Sequence, residues 1–93
     1  MPQYMTVHRA PGLNPDELAA NALNVFNCEP ATFRQFYVNL GAGVIVSIYE
    51  AENQDDLEEA FEQLGFPHGE IHEVQFAQSR QEMEGMLKSM GKL

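Results

Sequence analysis

Tryptophan is absent from this 93-residue chain, and cysteine occurs once, at Cys28. A lone thiol forms no internal disulfide, so stability must come from packing, and the reducing cytoplasm is the expected setting. Basic residues are scarce: five Lys and Arg face fourteen Asp and Glu, a net charge of −9 with the histidines neutral. A surface of that sign repels a duplex and an anionic bilayer, so neither nucleic acid nor membrane is an expected partner. Long apolar runs are missing too, which argues against a membrane-spanning helix. The opening Met1-Pro2-Gln3-Tyr4 shows no basic stretch followed by an apolar one, so no cleaved secretory signal is expected. Nor is there a glycine-rich phosphate loop, a nucleophile elbow, a catalytic Cys/His spacing, an internal repeat or a flexible linker.

What is present is a 44% hydrophobic chain, enough for one small core. The expectation is a single domain over 1–93, with a core at 1–77 and a helical appendage at 78–93. A chain this short buries only about two-thirds of its unfolded surface, so association would help it. No Lys or Arg occurs between Gln35 and Ser79, where nine of the carboxylates fall. That run reads first as a solvated face, with Asp55 and Asp56 complementing a helix dipole.

Residues 3–9 alternate as a strand, and Ala10-Pro11-Gly12-Leu13 is turn chemistry. Asn14 as N-cap, Pro15 at the first helical position and Glu17 as capping partner start a helix over 15–27. Residues 32–40 and 44–51 are β-forming, joined by Gly41-Ala42-Gly43 as a tight connection, which makes a hairpin. Asn53 caps a helix over 54–64, with Gly65 as its stop and Pro67 beyond. A fourth strand over 70–77 follows, and Ser79 with Glu82 starts a helix over 80–90 with a stripe of Met83, Met86, Leu87 and Met90. The order β-α-β-β-α-β with an extra C-terminal helix predicts an α+β, ferredoxin-like antiparallel sheet with two helices on one face.

Alternation sorts the sheet residues onto two faces. Phe36, Val38 and Leu40 with Val44, Val46 and Ile48 are the apolar set expected under the helices. The opposite, open face would hold Tyr4, Thr6 and His8, then Gln35, Tyr37 and Asn39, then Ile45, Ser47 and Tyr49. Such a face is too apolar to stay wet and too polar for an ordinary core, which predicts a homodimer closing over it and a pocket between the copies. The candidate ligand-binding residues are Tyr4, His8, Gln35, Tyr37, Asn39, Ser47 and Tyr49. The phase of the fourth strand, and so the side on which His72 lies, stays open: Ile71 argues one way, Val74 and Phe76 the other.

Residues 4–9 (Tyr-Met-Thr-Val-His-Arg) and 11–20 (Pro-Gly-Leu-Asn-Pro-Asp-Glu-Leu-Ala-Ala) carry a family resemblance. So do Ile48-Tyr49-Glu50-Ala51, Leu64-Gly65-Phe66-Pro67 and Ile71-His72-Glu73-Val74. Over residues 2 to about 75 the chain resembles a family of small bacterial ferredoxin-like proteins, mostly of unknown function. They are related to a nickel-binding protein and similar in shape to dimeric α/β-barrel proteins. The resemblance implies the fold and a transition-metal ion, nickel among them, as a cofactor to consider. The chain departs from the family pattern at Ser47, where members often have Cys, at His8, where an acidic residue is common, and in its shorter first helix.

Metal binding needs several deprotonated ligands converging within about 2.0 to 2.3 Å of the ion. The pieces are His8, His68, His72, Cys28 and the carboxylates, and His8, paired across a dimer axis, is the one metal candidate. His68 and His72 are four apart, but Pro67 and Gly69 make a loop more plausible than a helix there. Cys28 reads as a small packing residue. Two functions follow: a module binding a small molecule or a metal ion on the open face of a homodimer, or a cofactor-free enzyme (isomerase, decarboxylase or oxygenase) with His8 as proton shuttle.

Overall fold

The computed structural model describes residues 1–66 and 69–93. Seven elements occur in the order β1 (Gln3–Arg9), α1 (Pro15–Asn27), β2 (Thr32–Asn39), β3 (Val44–Glu50), α2 (Gln54–Leu64), β4 (Glu70–Glu73) and α3 (Arg80–Ser89). Each helix starts where side-chain caps satisfy its first N–H groups. Asn14 accepts from the Glu17 N–H at 2.9 Å and donates back to Glu17 Oε1 at 2.8 Å. Asn53 accepts from the Asp56 N–H at 2.9 Å, and Ser79 and Glu82 bond reciprocally. Gly65 ends α2 in the left-handed conformation, φ 71°, which a side chain would strain. Pro67, expected just beyond that stop, and the candidate ligand His68 lie outside the described residues.

The result is an α+β architecture, a four-stranded antiparallel sheet in the order β2-β3-β1-β4 with three helices. β4 is shorter than the expected 70–77. After Glu73 the chain makes one further sheet bond, Val74 N–H to Gln3 O at 2.8 Å, and leaves the edge.

The expected face assignment is overturned, and the hairpin shows why. A three-residue connection at 41–43 would set Leu40 opposite Val44 and Val38 opposite Val46. The loop instead takes four residues, 40–43: the Ala42 N–H donates to Asn39 Oδ1 at 2.9 Å and the Gly43 N–H to Leu40 O at 3.3 Å. Asn39 therefore pairs with Val44, and Val38 with Ile45. One residue of slip exchanges the faces of a strand. Phe36 and Val38 do face the helices, but with Ile45, Ser47 and Tyr49 beside them, and through β1 with His8, Thr6 and Tyr4. Val44, Val46 and Ile48 lie on the open face with Met5 and Val7. A bulge between Phe33 and Gln35 lets Phe33 join the helix side opposite Tyr49. In β4, Ile71 pairs with Thr6 and His72 with Met5, which puts His72 on the open face, 3.6 Å from Glu70.

The packed core sits under α2. Leu57, Ala60 and Phe61 from that helix are buried with Tyr4, Tyr49, Ala31 and Ala51, and Cys28, Phe33, Leu64, Phe66 and Ile71 pack around them. Phe61 holds the arrangement, its ring standing edge-on to Tyr49 at 5.2 Å and to His8 at 4.7 Å. α3 contributes no buried residue.

Candidate functional site

The helix-covered face is filled under α2 and hollow under α1. α1 has no buried residue, although Leu18, Ala22 and Val25 recur on its inner side. Alanine at 19 and 22 leaves the space that larger side chains would fill, and a cavity of about 650 Å³ remains between helix and sheet. Small-molecule sites commonly fall in the range of about 300 to 1,000 Å³. Its floor is Phe33 and Phe36 of β2, Ile45, Ser47 and Tyr49 of β3 and His8 of β1. Its roof is α1 from Leu18 to Phe26, with Leu13 and Phe66 closing the ends. The lining is almost wholly apolar, and its mouth is open to solvent: Phe26 is 78% exposed.

Three polar side chains interrupt that lining on the floor. Buried His8 presents its ring edge-on to Phe61 and, at 5.8 Å, stands across from Phe66. Gly69 closes its other side, since a Cβ there would stand 2.8 Å from His8 Nδ1 and collide with Val7 O. Ser47 is buried between His8 and Tyr49 along the floor. Burial, with the Cys28 thiol adding to it, pushes the Tyr49 phenol up to about 12. Tyr49 therefore keeps its proton at any physiological pH and offers a hydroxyl donor without a charge. At the rim, Asn21 is engaged, its amide donating to Glu17 O at 3.0 Å.

The structure divides the expected site residues between two faces. His8, Ser47 and Tyr49 meet on the cavity floor. Tyr4 is in the packed core, its phenol raised by burial and by the nearby Glu73 and Asp56 carboxylates. Gln35, Tyr37 and Asn39 lie on the opposite face, where Gln35 Nε2 donates to the Tyr37 hydroxyl at 2.8 Å. A pocket drawing on all seven is therefore excluded by the sheet between them. So is a His8 pair across an open-face dimer axis, because His8 points under the helices. Among the described residues, no group of three His, Cys, Asp or Glu could hold a metal ion. Cys28 is half-buried, its Sγ 3.8 Å from Ala60 O, and burial with the neighbouring Glu29 pushes its thiol up, away from a reactive thiolate. Sequence reasoning missed the apolar walls, Leu13, Phe26 and Phe33. The available signal was the alanines on the inner face of α1.

Residues 4–74 match the model of a family described as nickel responsive protein SCO4226-like. The fold is similar to the crystal structure of SCO4226 from Streptomyces coelicolor A3(2), with a TM-score of 0.73 and 25% sequence identity over 82% of this chain and 99% of that one. No curated protein matches the chain. α3 lies beyond the family match.

Proposed function

The chain belongs to the nickel-responsive SCO4226-like family, and from that premise we propose that it is a ligand-binding module whose site is the cavity beneath α1. The ligand is a small, mostly apolar molecule with one hydrogen-bonding end. The observation that carries this reading is the cavity itself: about 650 Å³, apolar on nearly every side, with His8, Ser47 and Tyr49 as its polar floor. Apolar walls supply affinity by removing surface from water, and a few fixed polar groups set orientation. The acidic surface favours a neutral or cationic ligand over an anion. The strand order β2-β3-β1-β4 supports the ferredoxin-like reading of the fold, with 1–77 as the core and 78–93 as an appendage.

The family description brings nickel in as a second reading. The described residues of one chain do not by themselves supply a nickel site: the side chains described around His8 are Phe61 and Phe66, and no group of three His, Cys, Asp or Glu among the described residues could hold a metal ion. The cofactor-free enzyme reading uses the same His8 and has no further observation in its favour. Association as a homodimer through the open sheet face is supported by the apolar patch of Met5, Val7, Val44, Val46, Ile48 and Tyr37. A cytoplasmic location accords with the single half-buried thiol, and no helix among the described residues is long and apolar enough to cross a membrane.

Titration with the neutral fluorophore N-phenyl-1-naphthylamine tests the site. One equivalent taken up per chain, lost in Ala22→Phe, is expected; uptake unchanged by Ala22→Phe overturns it. Elemental analysis and native mass spectrometry of protein purified without an affinity tag separate a retained organic ligand from a stoichiometric metal.

A further inference from the structure

The cavity beneath α1 gathers the aromatic side chains of the protein and none of its formal charge. Phe26, Phe33, Phe36, Phe66 and Tyr49 line it, from a chain with six Phe and three Tyr. Among the described residues, none of the five basic and fourteen acidic side chains reaches its wall.

The rings of the floor form one connected belt. Phe36 stands 5.4 Å from Phe33, Phe33 5.6 Å from Tyr49, Tyr49 5.2 Å from Phe61, Phe61 4.7 Å from His8 and His8 5.8 Å from Phe66, centroid to centroid. All of these except Phe61 line the hollow. The belt follows from the register, because the bulge after Phe33 sets that ring opposite Tyr49 on the helix side. No pair in it is stacked face to face, the interplanar angles running from 45° to 88°. An edge-to-face pair engages one face of one ring, so the belt keeps ring faces for a further flat partner. On the roof, Phe26 lines the same space, 78% exposed and with no ring contact among the described residues.

The absence of charge on the wall selects the guest as sharply as the rings do. An ion entering would shed its hydration with no opposite charge inside to replace it. The carboxylates of the outer surface act through water and salt, which weakens any advantage they give a cation. Size narrows the class further. A cavity of about 150 Å³ lined by apolar side chains takes one benzene ring, so about 650 Å³ with an open mouth accommodates two or three fused rings.

We propose that the guest is a neutral, flat aromatic molecule of two or three fused rings bearing a carbonyl oxygen, its rings held between Phe26 and the Phe33–Phe36 pair and its oxygen accepting from the Tyr49 hydroxyl. This rests on the ligand-binding reading above and names the chemical class that the site selects. Tyr49 is the donor because it pairs with Phe33 across the strands, so a ring seated on Phe33 brings its edge beside the phenol. Its hydroxyl keeps its proton, as burial requires, and therefore seeks an acceptor. Ser47 lies two residues along the same face, about 7 Å away, as the second hydroxyl of the floor. Each aromatic pair is worth roughly two- to tenfold in affinity beyond the area it covers, which a saturated molecule of the same size does not gain.

Isothermal titration calorimetry on the full chain at neutral pH tests the class with four probes. These are 9-fluorenone; fluorene, which lacks the oxygen; dicyclohexyl ketone, which has the same carbon count and a carbonyl but no aromatic ring; and N-methylacridinium, flat but cationic. The expected result is one 9-fluorenone per chain, bound about tenfold or more tightly than each of the other three. If none of the four binds, the ligand-binding reading falls and this assignment with it. Dicyclohexyl ketone bound as tightly as 9-fluorenone leaves that reading standing and overturns the aromatic class. Equal affinity for fluorene overturns the carbonyl, and tighter binding of N-methylacridinium overturns neutrality. Two variants then locate the contacts. Phe26→Leu, at an exposed position, is expected to weaken 9-fluorenone about fivefold and leave dicyclohexyl ketone unchanged; an equal loss for both ketones overturns the ring contact. Tyr49→Phe, which keeps the belt, is expected to bring 9-fluorenone down to the affinity of fluorene while fluorene itself holds its own. A preference for the ketone that survives Tyr49→Phe overturns the role given to that hydroxyl.

Discussion

Replacing Ala22 by leucine separates a hollow half-core from a filled one. In a close-packed interior the added atoms would force neighbours off their rotamers, at a cost of about 1 to 3 kcal/mol. Here Ala22 faces about 650 Å³ of space. Leucine adds three carbons, and full burial at about 0.8 kcal/mol each would stabilise by roughly 2.4 kcal/mol. The mouth is open, so about half of that burial is realised, and ordering the side chain costs about 0.5 kcal/mol or more. A net gain of about 0.5 to 1 kcal/mol remains. In a domain of this size that raises Tm by roughly 2 to 8 °C. Differential scanning calorimetry on the two proteins measures it, and the fluorophore titration on the same samples gives the functional half. Leucine should lower affinity while raising Tm. A fall in Tm would mean that α1 already rests on the sheet and would refute the cavity. A rise in Tm with unaltered affinity would place the ligand elsewhere.

Other outcomes follow from single side chains. Thr6 is fully buried and its hydroxyl has no hydrogen-bond partner among the described residues, so Thr6→Val, of the same shape, should raise unfolding free energy by about 1 kcal/mol in urea titration. Tyr49, raised from 10.0 to about 12, holds its proton in the folded state where the unfolded chain gives it up. Its contribution is present in full below pH 10 and is lost as pH rises through 12, a decline of about 2 to 3 kcal/mol that Tyr49→Phe should not show in alkaline denaturation curves. His8→Ala should weaken fluorophore binding tenfold or more and cost about 1 to 3 kcal/mol of stability, since both its ring contact with Phe61 and its place on the floor are lost; binding unchanged in a destabilised variant would make His8 purely structural.

Local chemistry was legible wherever it decided the structure by itself. Asn14, Asn53 and Ser79 mark the helix starts because a capping side chain acts within four residues, and all three helices begin there. The faces of the sheet were not legible, since Val44 to Tyr49 is apolar or aromatic in either phase and only the length of the loop after Asn39 chooses between them. Whether that loop holds three residues or four is set by the bond from the Ala42 N–H to Asn39 Oδ1 and by the left-handed Gly43, where a Cβ would press on Ala10 O at 2.9 Å. Alternation alone puts His8 and Tyr49 on one face of the sheet but does not say which face the helices cover. The cavity was hidden for a different reason. Leu18, Ala22 and Val25 have the same spacing over an empty space as over a packed sheet, so periodicity reports a helix face and not its distance from what lies beneath.

Because α2 packs the sheet and α1 only spans it, the chain separates what keeps it folded from what it can hold. Substitutions at Leu57, Ala60 or Phe61 strike the scaffold, whereas those at Leu18, Ala19, Ala22 or Phe26 mainly reshape an opening. Selection can therefore change the size and character of the guest by altering one helix, with little penalty to folding. Related chains should diverge in the roof long before they diverge in the floor, and a library randomised at those four positions should stay mostly folded while its members sort by the molecules they retain.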